Sequence, residues 1–150
     1  MTGATLTRPQ TPLADLATRL RRLGLLDRVP DLAGAPDYQG VTWSLEPTRP
    51  GDLHINLLGA KRAPAAVRRA VLDGAVAVCW SKPNAELVEE LRAQGVPVLE
   101  VTDERRAMSL GSALLHGFPS KDIAMIGITG TNAKTTCTLM TAACLHRSGM

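Results

Sequence analysis

Residues 123–136 read IAMIGITGTNAKTT, and this stretch decides how the end of the chain is interpreted. An apolar run over 123–128 predicts a strand, the Gly- and Thr-containing segment after it predicts a loop, and the residues from Lys134 onward predict a helix. Amide N–H groups at the start of a helix can bind phosphate oxygens, with help from the helix dipole. The sequence therefore predicts a phosphate-binding loop made of Thr129, Gly130, Thr131, Asn132, Ala133, Lys134, Thr135 and Thr136.

The loop departs from the usual pattern of Gly, four residues, Gly, Lys and Ser or Thr, because Ile128 and Ala133 stand at the two glycine positions. If residue 133 has a positive φ, an alanine there adds about 1 to 2 kcal/mol of local strain relative to glycine. If φ is negative, the cost is only a methyl group near the phosphates. The sequence leaves these two cases open.

Helix-like and strand-like segments alternate upstream of this loop. Helical spacing of leucines predicts a helix over 11–24, with Thr11 as a candidate cap, and the residues 25–40 contain turn formers and predict a loop. Two short strands are predicted at 41–43 and 52–58, around a Pro- and Gly-containing connection. Further helices are predicted over 64–74, 83–95 and 102–117, the last capped by Thr102 or Asp103, and further strands over 75–80 and 96–101.

This alternation predicts an α/β fold with two parts. Residues 1–117 form the first α/β domain, 118–122 a linker stiffened by Pro119, and 123–150 the first strand, phosphate loop and helix of a second, ATP-binding domain.

Composition narrows the class of protein. The 150 residues are 45% hydrophobic with a net charge of +3, but aromatic residues are only 3%, which argues against nucleic acid as the partner. No stretch approaches about 18 consecutive apolar residues, which argues against a membrane span. Cys79, Cys137 and Cys144 lack metal-ligand spacing, so we expect small buried side chains in a reducing, cytoplasmic compartment.

GITGTNAKTT, residues 127–136, resembles the ATP-binding loop of the Mur ligases. An asparagine at the position of Asn132 is commonest in their UDP-N-acetylmuramoyl-dipeptide ligases (the MurE type). The segment 114–126 resembles their linker, and GVTWSLEPTRPGDLHINLLG, residues 40–59, resembles their UDP-binding N-terminal domain. The resemblance covers about residues 38 to 150. It implies that most of the central domain and the whole C-terminal domain lie outside these residues.

The resemblance also implies a reaction. ATP phosphorylates the carboxylate of UDP-MurNAc-dipeptide, and the amino group of an added amino acid attacks the acyl phosphate. Lys134 is then the catalytic residue that stabilises the transferring phosphoryl group, Thr135 is the Mg²⁺ ligand, and the backbone of 129–134 surrounds the phosphates. We expect no turnover from these 150 residues alone, because groups outside them are needed.

Within the UDP-binding region the sequence departs from the family. Ser44, Leu45 and Glu46 stand where the family has Asp-Ser-Arg, so an acid replaces a base that contacts the nucleotide. His54 replaces an aromatic residue, and we interpret it as a surface or strand-face residue rather than a ligand.

Three alternatives remain open from the sequence. The chain is a noncatalytic truncated or relic module that acts only in binding, or it belongs to the related ligase that adds the final dipeptide, or it belongs to the folylpolyglutamate synthetases, which share the ATP loop.

Overall fold

Four parallel strands form the sheet of the protein. The computed structural model describes residues 9–44, 46–59 and 61–149. The strands are β1 (Gly40–Trp43), β2 (Asp52–Ile55), β3 (Ala77–Trp80) and β4 (Val98–Glu100), in the spatial order β1-β2-β3-β4. Each strand pairs with the next in parallel, so all four carboxyl ends lie at one edge of the sheet.

The described residues form five α-helices: α1 (Leu13–Arg22), α2 (Ala63–Leu72), α3 (Ala85–Ala93), α4 (Glu104–Leu115) and α5 (Lys134–Arg147). The α/β fold class predicted from the sequence is confirmed. No helix within the described ranges is long and apolar enough to cross a membrane.

Both faces of the sheet carry an apolar core. Along β3, Ala77 and Cys79 join a core cluster with residues of α1 and α4, whereas Val78 and Trp80 join a second cluster with residues of α2 and α3. Successive side chains of a strand point to opposite faces, so a strand covered on both sides is apolar throughout. That is why 75–80 is a continuous apolar run.

Of the predicted helix caps, Asp103 of α4 is confirmed, and Asn84 caps α3 without having been predicted. The Asn84 side chain accepts hydrogen bonds from the amides of Glu86 and Leu87, and the Asp103 side chain accepts from Arg106, as N-cap residues do. The prediction that Thr11 caps α1 is wrong. Pro12 is the N-cap residue without a side-chain bond, because Thr11 exchanges backbone hydrogen bonds with Tyr38 instead.

The predicted loop over 25–40 has no helix but contributes to the core. Leu25, Leu26 and Tyr38 are buried, and the Tyr38 hydroxyl donates to the carbonyl of Gly111 in α4 at 2.9 Å. Burial raises the pKa of Tyr38 to about 12, so the phenol stays protonated and keeps donating. Tyr38 thus links the segment just before β1 to α4.

The chain divides into two compact units between Phe118 and Pro119. In the second unit, residues Pro119–Lys121 form a 3-10 turn and residues 124–129 have no regular structure. The strand predicted over 123–128 does not form in the described chain, because a strand is held by hydrogen bonds to a neighbouring strand and none pairs with it there. The expectation that all three cysteines are buried is wrong for Cys137 and Cys144, which are exposed on α5.

Candidate functional site

The loop before α5 contains two residues in unusual backbone conformations. Gly130 has φ of 147° and Ala133 has φ of 60° with ψ of 9°, in the left-handed region. Ala133 is also the N-cap residue of α5. Of the two cases that the sequence left open, the structure shows the strained one, in which alanine costs about 1 to 2 kcal/mol relative to glycine.

Lys134 directs its side chain back over the loop. Its Nζ donates to the carbonyl of Gly130 at 2.7 Å and to that of Thr131 at 3.3 Å. The ammonium group therefore lies against the loop backbone at the start of α5, where the positive end of the helix dipole also lies.

The remaining predicted loop residues adjoin Lys134 along the chain and are exposed. Thr129, Gly130, Thr131 and Asn132 precede Ala133 without a break, and Thr135 and Thr136 lie in the first turn of α5, all of them exposed. The first amides of a helix have no intrahelical acceptor. Free amides, hydroxyls and an ammonium group in one short segment are the donors that suit a phosphate chain with Mg²⁺.

Acidic residues add no metal site in the part of the chain that the structure describes. Within residues 9–44, 46–59 and 61–149, no group of three or more His, Cys, Asp or Glu side chains could hold a metal ion. A hydroxyl such as that of Thr135 could ligate Mg²⁺ only together with phosphate oxygens and water.

A second candidate site lies in the first unit, at the carboxyl ends of the strands. A cavity of about 370 Å³ is lined by residues that follow β2 and by residues at the start of α4: Leu57, Leu58, Gly59, Thr102, Asp103, Glu104 and Arg105. Parallel sheets bind their ligands at this edge. The carboxylate of Glu104 accepts a hydrogen bond from the Ser81 amide at 3.0 Å, which joins the end of β3 to this wall.

A larger cavity of the first unit, of about 860 Å³, lies beside β4 and the loop 27–35. Its charged lining is mixed, with Asp27, Asp31 and Glu100 beside Arg28 and Arg92, and Arg92 already pairs with Glu89. It lacks the convergent polar groups of a ligand site. The smaller cavity is therefore the candidate ligand site of the first unit.

Of the three residues that depart from the family, Ser44 and Glu46 follow β1. Leu45 is outside the described residues. Glu46 is exposed, and its amide donates to the carbonyl of Trp43 at 2.8 Å. Ser44 is half-buried, and its hydroxyl is engaged within the protein, accepting from the Leu57 amide at 3.0 Å. No pattern in the sequence predicts this internal role of Ser44.

His54 corrects one of our expectations. It lies on a strand face but is only 2% exposed, so the surface interpretation is wrong. Its position in the middle of β2, between Thr42 of β1 and Val78 of β3, explains the burial. Removal from water lowers its pKa to about 4.

Comparison with known proteins gives consistent matches. The chain is 40% identical over 127 residues to the UDP-N-acetylmuramoyl-L-alanyl-D-glutamate--2,6-diaminopimelate ligase of Streptomyces coelicolor, covering 84% of this chain and 23% of the relative. It is 31% identical over 114 residues to the ligase of that name from Clostridium botulinum, covering 75% and 23%. It is 31% identical over 115 residues to the UDP-N-acetylmuramyl-tripeptide synthetase of Deinococcus radiodurans, covering 76% and 22%. No family model matches the chain.

The fold and the loop define an α/β protein with a glycine- and threonine-containing segment that opens a helix. By sequence, the chain belongs with the Mur ligases and corresponds to the N-terminal region of their MurE type. It spans less than a quarter of the length of these curated relatives.

Proposed function

We propose that this chain is the N-terminal part of an ATP-dependent ligase that adds an amino acid to UDP-MurNAc-dipeptide in peptidoglycan synthesis, in the cytoplasm. The observation that carries the proposal is the loop from Gly130 to Lys134, which opens α5 with its amides, hydroxyls and ammonium group exposed. The names of the relatives support the same reaction class.

In this proposal the second unit contributes the phosphate site. Bound ATP, with Mg²⁺, would supply the phosphoryl group that activates a carboxylate. Lys134 would exchange its bonds to the carbonyls of Gly130 and Thr131 for phosphate oxygens and would stabilise negative charge there. The hydroxyl of Thr135 would hold Mg²⁺, and the amides from Thr129 to Lys134 would orient the phosphates.

The first unit would bind the UDP-linked substrate at the carboxyl ends of its strands. We propose residues 1–117 as the substrate domain, 118–122 as the linker and 123–150 as the start of the ATP-binding domain. The cavity beside Leu58 and Gly59 is the candidate position for the substrate. The selection of the amino acid would depend on parts of a ligase that these residues do not include.

Isothermal titration of the 150-residue chain with Mg²⁺-ATP tests the proposed phosphate site. We expect Mg²⁺-ATP to bind, and Lys134→Ala to weaken it by about tenfold or more, because hydrogen bonds to charged groups contribute about 1.5 to 3 kcal/mol. Lys82→Ala is the matched control, since Lys82 is an exposed lysine outside the loop. Equal affinity in Lys134→Ala and the unaltered chain would contradict the proposed role of Lys134.

One observation favours a second candidate function, that of a substrate-binding module without ATP chemistry. Residues 124–128, which precede the loop, pair with no strand in the described chain, so no sheet formed by these residues supports the loop. A chain that binds UDP-MurNAc-dipeptide and fails to bind Mg²⁺-ATP would match this second function.

A further inference from the structure

Two polar side chains link the carboxyl ends of β1 and β2. Ser44 follows β1 directly and Asn56 follows β2 directly, and the Ser44 hydroxyl lies 3.2 Å from Oδ1 of Asn56. Asn56 is only 1% exposed. A buried side-chain amide needs several hydrogen-bond partners. The partners of Asn56 therefore show which backbone groups it holds in place.

The Ser44 hydroxyl has one proton and two acceptor positions. It accepts from the amide of Leu57 at 3.0 Å, and its proton goes to Oδ1 of Asn56 at 3.2 Å, with the carbonyl of Ile55 as the longer alternative at 3.4 Å. One hydroxyl therefore fixes the backbone of Leu57 and the orientation of the Asn56 amide.

The orientation of that amide fixes the next residue of the chain. Oδ1 of Asn56 also accepts from the amide of Leu58, and its Nδ2 donates to the carbonyl of Leu58, both at 3.3 Å. The backbone amide of Asn56 donates to the carbonyl of Cys79 at 2.9 Å, which anchors the group to β3. The backbone groups of Leu57 and Leu58 are thus held from inside the protein.

Leu57, Leu58 and Gly59 form one wall of the cavity at the carboxyl ends of the strands. We infer that Ser44 and Asn56 are positioning residues, which hold this wall in the conformation that binds the UDP-linked substrate. The inference rests on the proposed function of the first unit. Apolar residues at these two positions would fill the same space but would leave the Leu57 amide and both backbone groups of Leu58 without these partners.

The test is titration of UDP-MurNAc-dipeptide into the 150-residue chain and its variants. We expect Ser44→Ala and Asn56→Ala each to weaken binding by about fivefold, the size of one or two hydrogen bonds. The double variant should lose less than the product of the two effects, because both belong to one network. Ser44→Thr keeps the hydroxyl and should restore most of the affinity.

Asn84→Ala is the matched control. It removes an asparagine that caps α3 and accepts from two backbone amides, so it lowers the stability of the unit, but Asn84 does not line the cavity. We expect its affinity for UDP-MurNAc-dipeptide to stay within twofold of the unaltered chain. A thermal melt of each variant shows whether the loss of stability is comparable.

The outcomes distinguish the positioning role of Ser44 and Asn56 from the proposed function of the first unit. If the unaltered chain binds and the Ser44 and Asn56 variants bind equally well, the positioning role is overturned while the proposed function stands. The role is also overturned if Asn84→Ala loses as much affinity as they do, since the loss would then follow stability alone. If the unaltered chain does not bind UDP-MurNAc-dipeptide, the proposed function of the first unit fails and the positioning role falls with it.

Discussion

His54 shows how a single residue can set the pH range in which the first unit is stable. Its imidazole is buried in the middle of β2, and in the described chain neither ring nitrogen has a hydrogen-bond partner. The neighbouring positions on its face of the sheet are Thr42, Val78 and, two residues earlier on the same strand, Asp52. A charged imidazolium at this position would be removed from water, which is costly.

The unfolding free energy should therefore fall in mild acid. The pKa of His54 lies at about 4 in the folded protein against 6.5 in its ordinary state, so between these values the unfolded chain binds a proton that the folded chain does not. Stability from this group is complete above pH 6.5 and is lost as the pH falls toward 4, by about 3 kcal/mol at most. Urea unfolding at pH 7.5, 6, 5 and 4.5 measures the loss.

Two variants isolate the contribution of His54 to this pH dependence. His54→Leu removes the titrating group and should flatten the fall in stability between pH 6.5 and 4.5. His116→Gln, which changes an exposed histidine just after α4, should leave it unchanged. An equal pH dependence in His54→Leu and the unaltered chain would show that carboxyl groups control acid unfolding instead.

The helices and strands were predictable from sequence where their own periodicity decides their structure. Leu87 and Leu91 lie four residues apart in α3 and are both buried, as their spacing predicts. The prediction of a strand over 123–128 was wrong because an apolar run becomes a strand only when a neighbouring strand pairs with it. That neighbour is not encoded in the run itself. Tyr38 was missed because its burial depends on α4, 73 positions along the chain.

The candidate loop was predictable in position but not in conformation. The order of Gly130, Lys134 and Thr135 gave its location and the start of α5. The φ of Ala133 was not determined by sequence, because alanine ordinarily avoids the left-handed region and only the observed backbone shows that it is adopted here. The network of Ser44 and Asn56 was missed because it joins two strands through backbone groups.

Replacing Ala133 with glycine should strengthen the start of α5. Glycine adopts a φ of 60° without the strain of a Cβ atom, so Ala133→Gly should make the loop easier to form by about 1 kcal/mol. In the proposed function this appears as Mg²⁺-ATP affinity higher by about fivefold in titration.

Ala142→Gly provides the contrast for this prediction within the same helix. Residue 142 lies in the exposed interior of α5, where glycine costs about 1 kcal/mol of helix stability. Helicity measured by circular dichroism should fall in Ala142→Gly and should hold or rise in Ala133→Gly. A decrease in both variants would mean that the left-handed conformation at 133 does not limit the loop.

At the scale of the molecule, the two units differ in how they are stabilised. The first unit has an apolar cluster on each face of its sheet, with every cluster member between Leu13 and Leu115. The second unit has no buried residue among 119–149, and Ile123, Met125, Ile126, Leu139 and Met140 are all largely exposed. Burial of apolar surface is the main source of favourable folding free energy. Most of that free energy therefore comes from the first unit.

Removing residues 119–150 should therefore leave the first unit folded. We expect a chain that ends at Phe118 to melt cooperatively within about 2 °C of the 150-residue chain, because both core clusters and the bond from Tyr38 to Gly111 are retained. A chain that ends at Ser109 is the control, since it loses Gly111 and the buried Leu115, and it should fail to give a cooperative transition. Calorimetry of the three chains measures the difference. A fall of roughly 8 °C or more in the chain that ends at Phe118 would show that the second unit contributes to the stability of the first, and that the exposed apolar residues of α5 are engaged in solution.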